Sequence, residues 1–275
     1  MARKFVILWV IALVLLMSGP LGASAGDSLM LATTTSTDNT GLMDILAPQF
    51  KKDTGIELKW TAIGTGKALE MGKNCDVDVL LVHAPAAEKK YVADGYGRDR
   101  TQVMYNDFVI IGPKNDPAEL KDSTVFEAMG KFAAGKATFV SRGDNSGTNK
   151  KEISLWKNAG MAVPDKEKWY IQTGQGMIST INVATEKGAY TMTDRGTFIK
   201  FADNHGGNPP LVVLVEGDPG LFNQYSLIAV NPTKCKNAKY ELARKFTDWL
   251  TSDDIQRLIG NFKLLNKKLF IPNAR

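Results

Sequence analysis

The chain has 275 residues, with 34 Lys and Arg against 29 Asp and Glu and a formal net charge of +5 at pH 7. Discounting Arg3 and Lys4 leaves about +3, and the basic residues are scattered rather than gathered in a stripe interleaved with aromatics, which excludes a nucleic-acid partner. Two histidines, His83 and His205, lie far apart and lack acidic or cysteine neighbours at ligand spacing, which argues against a zinc site and a histidine-based triad.

Residues 1–25 carry Arg3 and Lys4, the apolar run "FVILWVIALVLLM", Gly19-Pro20 and the small triplet Ala23-Ser24-Ala25. This reads as a secretory signal peptide cut after Ala25. The run from Phe5 to Met17 is too short to cross a bilayer comfortably as a helix, and no cysteine stands near the cut to take a lipid. No later stretch is apolar for long enough either, so export to a periplasm is expected. In that compartment Cys75 and Cys235 either pair or sit as two separately buried thiols.

From Leu29 onward, strand-like and helix-like runs alternate. "LMLATT" precedes a segment that places Leu42, Ile45, Leu46 and Phe50 on one helical face and stops at Gly55. "IELKWTAIG" reads as a strand, "KALEMGKN" as a short helix, "VDVLLVH" as a strand closed by His83, and "AAEKKYVADG" as a helix. Repeated βα units predict an α/β protein with a parallel sheet covered on both faces. After the long strand "VMYNDFVIIGPKNDP", a second series runs through "ATFVS", "KKEISLWKNAG", "KWYIQTG", "GMISTINVATEKG" and "AYTMTD". "PPLVVLVEG" and "QYSLIAVNP" read as closing strands, and "NAKYELARKFTDWL" and "DDIQRLIGNF" as amphipathic helices with Phe246, Trp249 and Leu250 inward. Two such series suit two lobes: a first lobe over 26–107, a second over 108–206, and a return to the first over 207–275. The strands around Tyr105–Ile111 and Gln224–Val230 are the expected hinge for closure on a ligand.

Three strand ends carry candidate chemistry. "ATTTSTDNTG" puts Thr33, Thr34, Thr35 and Ser36 immediately before a helix, where unpaired N–H groups collect ligands. "FVSRGDNSGTNKKEI" repeats the arrangement with Arg142, Ser146, Gly147 and Thr148, and "AYTMTDRGT" adds Arg195. A lone Ser or Thr before a helix is most often a plain N-cap, and an Asp beside an Arg is usually a structural ion pair. Recurrence at several strand ends favours one anion cradle built of hydroxyls, backbone N–H groups and a forked guanidinium. Such neutral donors suit a fully ionised tetrahedral oxyanion, whereas a protonated phosphate calls for a carboxylate acceptor as well. Arg142-Gly143-Asp144 as an adhesion tripeptide would need an exposed loop. "GTGK" at Gly64 to Lys67 lacks the upstream glycine and the Ser or Thr of a P-loop, and "GQGMIS" from Gly174 lacks the third glycine of a dinucleotide fingerprint.

In this order "TTTST", "GTGKALEMGKNCDVDVLLVHAPAAEKKYVADGYG", "VMYNDFVIIGP", "SRGDNSGT" and "AYTMTDRGT" resemble the tungstate-binding receptors of tungstate ABC transporters, the TupA type, over essentially the whole mature chain. The resemblance implies a type II periplasmic-binding-protein fold whose two α/β lobes close on tungstate or molybdate, with delivery to a membrane permease. It implies a monomer without cofactor, without a bare metal cation and without enzymatic activity. Thr33 to Ser36, Arg142, Ser146, Gly147, Thr148 and Arg195 are its candidate ligand residues. The pattern from Arg142 to Thr148 also resembles phosphate-binding proteins, in which the aspartate orients the arginine. The alternatives are therefore a phosphate or molybdate receptor of the same fold, or an exported Ser/Thr-nucleophile enzyme acting on phosphorylated substrates, for which these motifs supply no adjacent base.

Overall fold

The computed structural model describes residues 27–135 and 137–274, so the expected signal peptide lies outside the described residues. In chain order the first part holds β1 (Ser28–Thr33), α1 (Thr35–Asp38), α2 (Leu42–Thr54), β2 (Glu57–Ala62), α3 (Thr65–Lys73), β3 (Val79–Val82) and α4 (Pro85–Ala93). The long β4 (Gly97–Pro113) leads to α5 (Val125–Gly135), β5 (Phe139–Ser141), α6 (Gly147–Asn158), β6 (Tyr170–Gln172), α7 (Met177–Glu186), β7 (Tyr190–Asp194), α8 (Arg195–Asn204) and β8 (Leu211–Val215). β9 (Phe222–Val230), α9 (Tyr240–Thr251), α10 (Asp253–Asn261), the short pair β10 (Lys263–Leu264) and β11 (Lys267–Lys268), and β12 (Ile271–Pro272) complete it.

Each α/β lobe carries a three-stranded parallel group, β2-β1-β3 in the first and β6-β5-β7 in the second. The groups are joined through antiparallel β9 and β4, in the order β2-β1-β3-β9-β4-β7-β5-β6. Antiparallel strands enter because the chain must run out to the second lobe and back, which a purely parallel sheet does not allow. β4 pairs with β9 up to Asp107 and with β7 from Phe108. Strand pairing passes from one lobe to the other at the Asp107-Phe108 step, with Phe222 opposite Asp107, whereas Gln224–Val230, expected in the hinge, pairs wholly within the first lobe's sheet. β8, expected with the return to the first lobe, instead pairs with β4 over Ile110–Pro113.

Helices cover both faces of each sheet because each buries one apolar stripe. In the first lobe Leu42, Leu46 and Phe50 of α2 pack with Ala243, Phe246 and Leu250 of α9, while Ala68, Leu69 and Tyr91 of α3 and α4 fill the opposite face. Full burial of a side chain such as Phe50 or Phe246 contributes about 1.5–3 kcal/mol. Ile45, expected on that inner face, is instead exposed. In the second lobe α5 and α6 supply Phe132 and Trp156 to one face, and α7 and α8 supply Ile181 and Phe201 to the other. α5 has no counterpart in the sequence-based expectation. Cys75 and Cys235 are joined by a disulfide across 160 positions of sequence, which decides between the two states left open for them.

Candidate functional site

Every turn at the inner edge of the two lobes follows a strand and starts a helix, so helix N-termini point into the space between them. A cavity of about 750 Å³ is lined there by Thr34–Ser36 at the start of α1, Gly64–Lys67 at α3, Arg142–Thr148 at α6, and Gly174–Gly176 at α7. The N-cap residues of α3 and α7 are Gly64 and Gly176, which have no side chain to cap with, so those first-turn N–H groups stay free for a ligand. With α6 they bring three positive helix ends to one place, an arrangement that attracts anions. Two donors buried at these turns lack any protein partner, the Thr65 hydroxyl and Nε of Arg142. A buried unpaired donor is costly unless something fills the gap.

The cradle loop is held from below. Gly143 and Asn145 adopt left-handed φ values of 59° and 59°, which bend the chain sharply between β5 and α6. Asp144 accepts the Arg142 Nη2–H at 2.5 Å with one oxygen and the Ser146 N–H at 3.1 Å with the other. Arg142 is thereby pinned in a fixed direction, with its side chain only 13% exposed. Under the loop Ser141 donates to the buried Glu152, whose other oxygen accepts from Trp156 at 3.0 Å and Tyr170 at 2.6 Å. Burial pushes the Glu152 carboxyl up from its usual range, and these donors pull it back. Ser146 caps α6 by accepting the Asn149 N–H at 3.3 Å.

On the opposite wall the hydroxyls form a chain. Thr34 Oγ1 lies 2.8 Å from Thr37 Oγ1 and 3.1 Å from Ser36 Oγ, and Ser36 Oγ lies 3.3 Å from Nε2 of His83. Asn223 Nδ2 donates to Asn106 at 2.8 Å, which leaves its Oδ1, 2.8 Å from Nδ1 of His83, to accept from the ring. Burial drives His83 down to about 4, so the ring is neutral at physiological pH; Arg142 adds to the effect. Thr33, in contrast, donates its hydroxyl to Leu81 O at 3.0 Å within the sheet and does not line the cavity.

The PBP superfamily domain matches residues 21–254. Over 240 residues the chain is 52% identical to the tungstate-binding protein TupA of Campylobacter jejuni, covering 87% of this chain and 89% of that one. The solved structure of the tungstate binding protein TupA from Desulfovibrio alaskensis G20 is 66% identical with a TM-score of 0.84, covering 90% of this chain and all of that one (100%). A solved structure of the tungstate ABC transporter from Geobacter sulfurreducens is 48% identical with a TM-score of 0.75, covering 86% of this chain and 98% of that one. The chain belongs to the PBP superfamily and, within it, to the TupA family. Its two lobes with a cavity between them are the type II periplasmic-binding fold that the motifs implied.

Within this TupA-family cavity the structure brings together Thr34, Thr35, Ser36, Arg142, Ser146, Gly147 and Thr148. Arg195 is not among them. It forms a fork on Asp107, Nε at 2.6 Å and Nη2 at 2.5 Å, also donates to Glu216 at 2.7 Å, and borders a separate cavity of about 540 Å³ with Tyr105, Phe222 and Phe270. Its guanidinium is spent on two carboxylates that sequence spacing did not connect to it. Three contributors were not read from the sequence as part of the site: the "GTGK" turn, the "GQGM" turn and His83. The two glycine turns were judged as nucleotide motifs and failed that test. Their signal was plainer, a glycine N-cap opening a helix after a strand.

Proposed function

We propose that this chain is a receptor that captures tungstate in the cleft, without changing it chemically, and hands it to the membrane permease of an ABC transporter, acting in the periplasm. The observation that carries the reading is the donor set: helix N-termini and hydroxyls from both lobes, with Arg142 as the partly buried cation. Such a set satisfies an ion that offers only acceptors. Asp144 is turned to the guanidinium and the Ser146 N–H, so its role in the cradle is to orient Arg142. Tungstate is preferred over other oxyanions because the relatives described above are tungstate-binding proteins. Titration calorimetry of the exported chain with tungstate, molybdate, sulfate and phosphate tests this. Saturable binding of tungstate, with phosphate and sulfate at least a hundredfold weaker, is expected; equal or tighter phosphate binding refutes it.

A second reading has one observation in its favour. Ser36, His83 and Asn223 stand in the order nucleophile, base and orienter, so the base that the sequence motifs lacked is supplied by the fold. The ring is a weak base at about 4, and the neutral Asn223 amide gives an imidazolium no charge support. Turnover of p-nitrophenyl phosphate or acetate that disappears in Ser36→Ala would establish the enzyme instead.

A further inference from the structure

His83 and Gly147 come from opposite lobes, yet they meet. His83 follows β3 of the first lobe, and Gly147 is the first residue of α6 in the second. A Cβ built on Gly147 would lie 2.6 Å from Cε1 of the imidazole, 3.1 Å from Nδ1 and 3.2 Å from Nε2. Real side-chain carbons do not approach that closely, so the backbone of α6 rests directly on the ring. Gly147 does not have a left-handed φ, so its lack of a side chain serves space rather than conformation. The ring has little freedom to yield. It is 5% exposed, is tied to Asn223 at 2.8 Å, and packs against Tyr225 with ring centroids 4.8 Å apart. Its remaining nitrogen holds Ser36.

We propose that His83 is a positioning residue of the oxyanion site: its imidazole is the stop on which α6 seats when the lobes close, and it thereby fixes the span between the Thr34–Ser36 turn and the Arg142–Thr148 cradle. The inference rests on the oxyanion-receptor reading given above. A tetrahedral ion must be met by donors from both walls at hydrogen-bond distance, and a shift of one ångström on either side loses contacts. Glycine at 147 lets the helix end reach the stop. An added methyl would hold the lobes apart although it removes no donor.

The test is a double-mutant cycle read by titration calorimetry with tungstate. Gly147→Ala is expected to bind at least tenfold more weakly than the parent. In Gly147→Ala combined with His83→Ala, the space left by the ring accepts the methyl, so the loss is expected to be at least fivefold smaller than the product of the two single losses. Losses that multiply to within twofold overturn the proposal, because the methyl would then be clashing with something else. Should His83→Ala not fold, Gly147→Ala carries the test alone by small-angle scattering: the parent compacts with saturating tungstate and the variant stays expanded, while equal compaction overturns the proposal. If the parent binds no tungstate, the receptor reading falls and this proposal with it, an outcome distinct from a parent that binds tungstate while the two losses multiply.

Discussion

Arg142→Gln removes the partly buried cation of the cradle while keeping a polar side chain. Truncating one member of a buried, hydrogen-bonded charge pair costs about 2–5 kcal/mol. The surroundings place this case in the upper part of that range. Asp144 sits 2.5 Å from the guanidinium with a side chain only 19% exposed, so the variant loses a donor to the dianion and also leaves a shielded carboxylate facing it without a counter-charge. A loss of about 3–5 kcal/mol is expected, which is roughly 100- to 4000-fold in affinity. Adding Asp144→Asn should recover part of it by removing the repulsion, and Arg142→Lys, which keeps the charge but not the planar fork, should fall between parent and Gln. Titration calorimetry with tungstate reads all four proteins. If Arg142→Gln binds within threefold of the parent, about 0.65 kcal/mol, the guanidinium does not touch the ion and the cradle assignment fails.

His83 is neutral in the fold with a value pushed down to about 4, whereas in the unfolded chain it titrates near its ordinary 6.5. The unfolded state therefore binds the extra proton first, and the contribution is full above about pH 6.5 and is lost as pH falls toward 4, by up to about 3 kcal/mol. Urea unfolding of the parent and His83→Gln between pH 7 and 4 should show a shallower acid loss in the variant, and parallel curves would refute the buried neutral ring. Breaking the Cys75–Cys235 disulfide releases a loop spanning 160 positions, so Cys75→Ser with Cys235→Ser should lower stability by about 2–5 kcal/mol; an unchanged unfolding midpoint in reductant would contradict this. Arg195→Ala should change tungstate affinity by less than about threefold while lowering stability by about 1–3 kcal/mol through the lost fork on Asp107. A loss of affinity matching that of Arg142→Gln would return Arg195 to the site.

What could be read in the sequence was what is encoded locally. Strand-then-helix alternation, the stop at Gly55 and the hydroxyl-rich turn before α1 depend on neighbouring residues alone. Arg142 through Thr148 was legible for the same reason, since one loop holds the cation, the glycine and the N-cap. The rest depended on partners distant in the chain. His83 looked like the last residue of a strand because its contacts are Asn223, 140 positions away, and Gly147 in the other lobe. Arg195 looked like a ligand because Asp107 and Glu216 become its neighbours only when β4, β7 and β8 pair. Ile45 fell on the wrong side of α2, since apolar spacing defines a stripe but not its edge.

The most direct measurement is diffraction from crystals grown with tungstate, collected at the tungsten absorption edge. One strong anomalous peak is expected between the two lobes, within hydrogen-bond reach, about 3 Å, of oxygens that contact the Thr34–Ser36 turn on one side and Arg142 and the Ser146–Thr148 helix start on the other. A peak located beside Arg195, or no peak in the cleft at saturating tungstate, would contradict it.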